Sequence, residues 1–145
     1  MISVQQINTS SPFYKQEQAL RNEILLGPIG IPDHAWEMHD HKAWHFVALD
    51  EGKVIGCVVL NPLDEAGKQA QLMQMAVAES HQGHGVGKLL VEKLLSFCVS
   101  QGIEEVVCHA RENAIVFYEK MNFEIYAEPF EEVGILHRHM RIQIA

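Results

Sequence analysis

The segment Gln82-Gly83-His84-Gly85-Val86-Gly87-Lys88 constrains the fold more than any other. Its three glycines stand between an apolar stretch and the clearest helical pattern in the chain. Before them, Gln71 to Ala78 reads as a strand, with Leu72, Met73, Met75 and Val77 apolar. After them, Val86, Leu89, Leu90, Leu94, Phe97 and Cys98 recur at helical spacing, so Gly85 to Gln101 reads as a helix. Gly102 stands where a C-terminal cap belongs. A glycine turn opening a helix makes an anion site. The first N–H groups have no intrahelical partner, the helix dipole adds positive potential, and glycine lets the backbone come close. A pyrophosphate suits this turn, and Lys88 can add a charge. Neither the Walker spacing nor the dinucleotide fingerprint G-x-G-x-x-G is present; the spacing here is G-x-G-x-G, and Leu89 follows Lys88.

Around this turn the pattern predicts a mixed sheet. Ile2 to Ile7 alternates as a first strand. Ser10, Ser11 and Pro12 open a helix that runs to about Leu26, where Gly27, Pro28, Gly30 and Pro32 stop it. Trp44 to Leu49 and Lys53 to Leu60 form a hairpin turned by Asp50-Glu51-Gly52. Glu105 to His109 is a short Val-rich strand, Asn113 to Met121 a helix, and two strands follow, about Phe123 to Pro129 and Ile135 to Ile144. This order gives helices on the faces of a mixed α/β sheet, not a regular doubly wound fold.

At 145 residues, with no linker or repeat, the chain reads as one domain over residues 1–145. No apolar run spans a bilayer and the first residues lack a signal-peptide pattern, so a cytoplasmic protein is expected. Cys57, Cys98 and Cys108 each lie in an apolar segment, with no metal-ligand spacing, and read as buried free thiols. The net charge of −8 argues against nucleic acid as a partner and weakly favours cationic small molecules through steering.

The segment Gln82 to Gly87 resembles the Q/R-x-x-G-x-G/A motif of the GNAT acetyltransferases, with every fixed position filled. A second block, His109 to Phe123, contains Phe117-Tyr118-Glu119-Lys120 and resembles the family's other signature, with Asn122 in place of the usual Gly. The stretch Leu20 to Leu25 and the tail Glu131 to His137 are similar to the ElaA-type branch. The resemblance implies a mostly antiparallel sheet with a splayed parallel strand pair. It implies acetyl-CoA as acyl donor, held by backbone along Met75, Ala76 and Val77, by Gln82, Gly83, His84, Gly85, Val86, Gly87 and Lys88, and by Phe117 and Tyr118. Asn113 is a further candidate contact, since the position seven before the Tyr is Arg111. It implies N-acetyl transfer to a primary amine by direct attack, with a homodimer common among relatives. A non-catalytic acyl-CoA sensor of the same fold is the alternative.

Such chemistry needs an oriented thioester, a neutral amine and a proton for the leaving thiolate. A lysine-like amine has a pKa of about 10.4, so freeing it at neutral pH costs roughly 4–5 kcal/mol. Tyr118 is the candidate acid. His109 and His137 are the candidate bases, and Glu131 or Glu132 can attract a cation. Histidines crowd the segment from His34 to His45, and a histidine metalloprotein is the other rival reading. His41 and His45 have metal-compatible spacing only on a helix, while Trp44 onward reads as a strand; no metal is expected. Arg21, Trp36 and His45 are candidates to line the acceptor pocket.

Overall fold

The computed structural model describes residues 1–144; Ala145, the last residue of the expected domain, lies outside the described residues. Eight strands make one sheet: β1 (Ile2–Ile7), β2 (Trp44–Asp50), β3 (Lys53–Pro62), β4 (Gln69–Val77), β5 (Glu105–Arg111), β6 (Glu124–Ile125), β7 (Phe130–Glu132) and β8 (Ile135–Gln143). Their order is β1-β2-β3-β4-β5-β8-β6, with β7 pairing on β8. Every pairing is antiparallel except β4 with β5.

Helix α1 (Tyr14–Arg21) covers one face, packing Leu20 with Ile7, Val47, Leu49, Val54, Cys57 and Ala76. Helices α2 (Val86–Gln101) and α3 (Ile115–Lys120) cover the other, over Phe46, Val58, Leu60, Leu72, Val106, Cys108 and Met140. On that face Gly56 brings α2 down onto β3: a Cβ there would lie 2.9 Å from Val86 Cγ1 and 3.1 Å from Leu90 Cδ1.

The parallel pairing runs only from Gln69 opposite Glu105 to Leu72 opposite Cys108. Both strands continue, so they diverge beyond that point. A bulge accompanies the divergence: Cys57 faces Ala76 but Val59 faces Met73, so β4 carries an extra residue. Within it Gln74 takes φ +56°, a left-handed conformation unusual for a residue with a side chain.

Three expected elements differ. The first helix starts at Tyr14, because Ser11 forms a turn with its carbonyl and hydroxyl engaged. It ends as an α-helix at Arg21 and continues as a π turn over Asn22–Leu26 and a 3-10 turn over Gly27–Ile29. The helix read from Asn113 is a 3-10 turn over Glu112–Ala114 followed by the short α3. The strand read over Phe123 to Pro129 is only β6, and β7 forms a hairpin with β8 whose turn holds Val133 at φ +48° and Gly134 at φ +73°.

Candidate functional site

The glycine turn leads into α2 as expected. Gly83 and Gly85 both take φ +80°, and nothing lies within 4 Å of where a Cβ would stand on either. Their backbone is therefore bare toward solvent. The first α-helical bond here is Leu89 N–H to the Gly85 carbonyl at 3.2 Å, which leaves the earlier amides of the turn outside the ladder. Gln82 donates from Nε2 to the Val77 carbonyl at 2.9 Å and ties the turn back to the end of β4. A Cβ at Gly87 would meet Phe117 Cζ at 3.4 Å and Met75 Sδ at 3.7 Å, so the helix start, β4 and α3 converge there. His84 and Lys88 are exposed. Ala76 packs inward toward α1, leaving only its backbone for a ligand. Asn113 is exposed in the 3-10 turn and does not line the central cavity.

That cavity, of about 610 Å³, opens where β4 and β5 part. Met73, Gln74 and Met75 form one side, His109 and Arg111 the other. Tyr118 reaches it from α3, Glu132, Val133 and His137 from the β7–β8 hairpin, and Ile24, Leu25 and Trp36 from the segment after α1. Tyr118 and the three other candidates, His109, Glu132 and His137, thus share one space.

Tyr118 is 6% exposed and packs edge-on against Phe117 and Phe123. Burial, with Cys108 adding, pushes its pKa well above the ordinary phenol value. It is therefore a neutral O–H. His137 is buried, and its Nδ1–H donates to the Ile135 carbonyl at 2.7 Å. A carbonyl can only accept, so this bond fixes the proton on Nδ1 and leaves Nε2 with a lone pair in the neutral ring. Nε2 lies 3.7 Å from Glu132 Oε2, while Glu132 Oε1 meets His109 Nδ1 at 3.0 Å. His139, the cross-strand neighbour of His109, stacks on Phe130 at 4.2 Å and does not line the cavity. Burial and the nearby His109 hold its pKa below the ordinary value.

Arg21 and His45 do not line the pocket, contrary to expectation; only Trp36 of that group does. Both are buried in a charge network. Arg21 Nη1 binds Glu17 Oε2 at 2.9 Å and Asp40 Oδ2 at 2.8 Å. His45 Nδ1 meets Glu17 Oε2 at 2.8 Å, and His45 Nε2 donates to the Asp40 carbonyl at 2.8 Å. Burial alone would lower the His45 pKa, but the hydrogen bond and charge of Glu17 outweigh it, and it ends above its usual value. Glu17, Asp40 and His45 have the ligand atoms of a possible metal site. The Arg21 guanidinium already bridges the two carboxylates, and two cations then balance two anions. His41 is exposed and apart from this set. Glu17, Asp40, Gln74 and Glu132 carry much of this geometry. Of these, only Glu132 stands out in the sequence, within an acidic pair beside His137.

Comparisons with known proteins bear on the family and the fold. The acetyltransferase (GNAT) family profile matches residues 4–123. Mouse (Mus musculus) N-acetyltransferase family 8 member 7 is 31% identical over 99 residues, covering 64% of this chain and 44% of that protein. The chain thus spans less than half the length of the curated relatives it matches. In fold, Escherichia coli ElaA superposes with a TM-score of 0.85 at 21% identity, covering 97% of this chain and 99% of that one. An aminoglycoside 6'-N-acetyltransferase complexed with coenzyme A gives 0.82 at 16% identity, covering 99% and 97%. With the glycine turn, the splayed strand pair and the matched profile extending over most of its length, the chain belongs to the GNAT family of acetyltransferases.

Proposed function

We propose that the protein transfers an acetyl group from acetyl-CoA to a primary amine by direct attack within a ternary complex. The observation that carries this reading is the cavity at the β4–β5 divergence, which Tyr118 enters from one side and His109, Glu132 and His137 from the other. The uninterrupted sheet from β1 to β8 supports reading residues 1–145 as one acetyltransferase domain.

The residues present fit the coenzyme. The bare turn at Gly83 and Gly85 and the free amides of α2 would hold its pyrophosphate. Beyond Leu72, through Met75, Ala76 and Val77, β4 stays paired with β3 and is unpaired only toward β5, and that edge offers backbone to its arm. Bound acetyl-CoA supplies the thioester acyl group. The Tyr118 hydroxyl then donates a hydrogen bond to the leaving sulfur. Its raised pKa keeps the hydroxyl protonated as a donor that stabilises the charge developing on that sulfur, which leaves as the thiolate when the C–S bond breaks. His137 Nε2 accepts the amine proton, since its other nitrogen is fixed as a donor. His109 is the second candidate base, and Glu132 between the two draws in an ammonium and stabilises the imidazolium that forms.

Calorimetry with acetyl-CoA, run beside a thiol-release assay on a panel of amines, tests the proposal. Binding together with amine-dependent release is the expected result. Binding without release from any amine turns the reading into that of an acyl-CoA sensor, and absence of binding removes it. The three buried free cysteines suit a reducing compartment, and cytoplasmic residence belongs to the same proposal. So does a homodimer, which sedimentation can check.

A further inference from the structure

We infer that Arg21 is a positioning residue for the amine side of the site, acting through Gln74 and the Trp36 carbonyl. The inference rests on the acetyl transfer proposed above, with the amine held in the cavity that Trp36 lines. Arg21 is 2% exposed, and its donors divide into two groups. Nη1 takes the carboxylates of Glu17 and Asp40, which settles the charge. Nε donates to Gln74 Oε1 at 3.2 Å, and Nη2 to the Trp36 carbonyl at 2.8 Å. Gln74 Nε2 donates to that same carbonyl at 2.9 Å and closes the triangle.

Charge balance requires neither of these last contacts. Glu17 and Asp40 are already matched by Arg21 and His45. What the triangle does is join two walls of the cavity. Gln74 is the left-handed residue of the β4 bulge, between Met73 and Met75. Trp36 belongs to the irregular segment between the 3-10 turn at Gly27–Ile29 and β2, which contains turns but no strand or helix. A carbonyl accepting from both Arg21 and Gln74 seats that segment on the bulge. Lysine at position 21 can answer the two carboxylates, but its single ammonium cannot also reach Gln74 and Trp36 in the planar fork that arginine provides. Arg21→Lys therefore separates charge from positioning. Gln74→Ala removes the triangle and leaves the charge pairs whole.

The experiment compares wild type, Arg21→Lys and Gln74→Ala in three measurements. These are the amine KM, the acetyl-CoA Kd by calorimetry, and acrylamide quenching of Trp36 emission in a Trp44→Phe background, which leaves one of the two tryptophans. Both variants are expected to raise the amine KM by about tenfold while the Kd stays within about twofold. Quenching of Trp36 is expected to rise about twofold. Parallel losses in amine KM and acetyl-CoA Kd would mean a merely structural role and overturn the inference, as would unchanged KM and quenching. If wild type acetylates no amine, the acceptor reading fails by itself. The quenching then decides the clamp: unchanged Trp36 exposure in Gln74→Ala overturns it.

Discussion

Tyr118 shows how burial sets a side chain's role. A phenol kept neutral by its surroundings is a poor source of a free proton and a good hydrogen-bond donor. Tyr118→Phe keeps the ring packed on Phe117 and Phe123 and removes only the donor. It is expected to lower kcat by about a hundredfold with little change in acetyl-CoA affinity, read by thiol release and calorimetry. The histidines can be ranked in the same way. His137 lines the cavity with Nε2 available, whereas His139 is stacked on Phe130 outside it. His137→Ala should therefore reduce amine kcat/KM by about tenfold or more, while His139→Ala changes it by less than about threefold.

His45 gives a prediction about stability. Its pKa is raised above the unfolded value of about 6.5, so the folded state binds the proton more tightly. The stabilisation is complete below the unfolded pKa and is lost as pH rises through the folded one. Thermal unfolding followed from about pH 6 to about pH 9 should show Tm falling on the alkaline side. In His45→Gln that pH-dependent fall should be reduced.

Among the elements, α2 depends on a residue outside it. Gly56 on β3 permits its close approach, because a methyl group there would collide with Val86, a stiff β-branched side chain in the first turn of α2. Gly56→Ala is expected to cost about 1–3 kcal/mol in urea denaturation, by overpacking. It should also weaken acetyl-CoA binding, since the displaced end carries the glycine turn proposed to hold the coenzyme. This proximity is non-local, and nothing in the β3 sequence marks it. The elements that were legible have strong local signals: α2 through its period, and the β2–β3 turn through Gly52. The β7–β8 hairpin has a comparable turn, Val133 at φ +48° and Gly134 at φ +73° beside Glu51 at φ +52° and Gly52 at φ +75°, but its first strand has three residues, too few to show alternation. Asn122, by contrast, does take the left-handed φ of +72° and completes the turn after α3 that glycine usually makes.

At the scale of the whole molecule, the glycine turn proposed for the coenzyme is readable in the sequence and the opposite wall of the cavity much less so. The glycine turn is a contiguous string whose chemistry follows from its own backbone. The cavity wall proposed for the acceptor is assembled from the segment after α1, Trp36, β4, β5 and the hairpin, with partners such as Arg21 and Gln74 separated by 53 positions. Spacing rules reach one helical turn or one strand and cannot register such a pair. The sequence offers Arg21 and His45 as pocket candidates, and the structure sets both behind the cavity wall.

The cysteines also matter to the molecule as a whole. Cys57, Cys98 and Cys108 are at most 1% exposed, and desolvation drives each thiol up, Cys98 to about 11 and Cys108 to about 12. Native protein should therefore leave a colorimetric disulfide reagent colourless at neutral pH, and guanidinium should reveal three equivalents. Any sulfur titrated during turnover then comes from the spent donor alone, and the chain supplies its own blank.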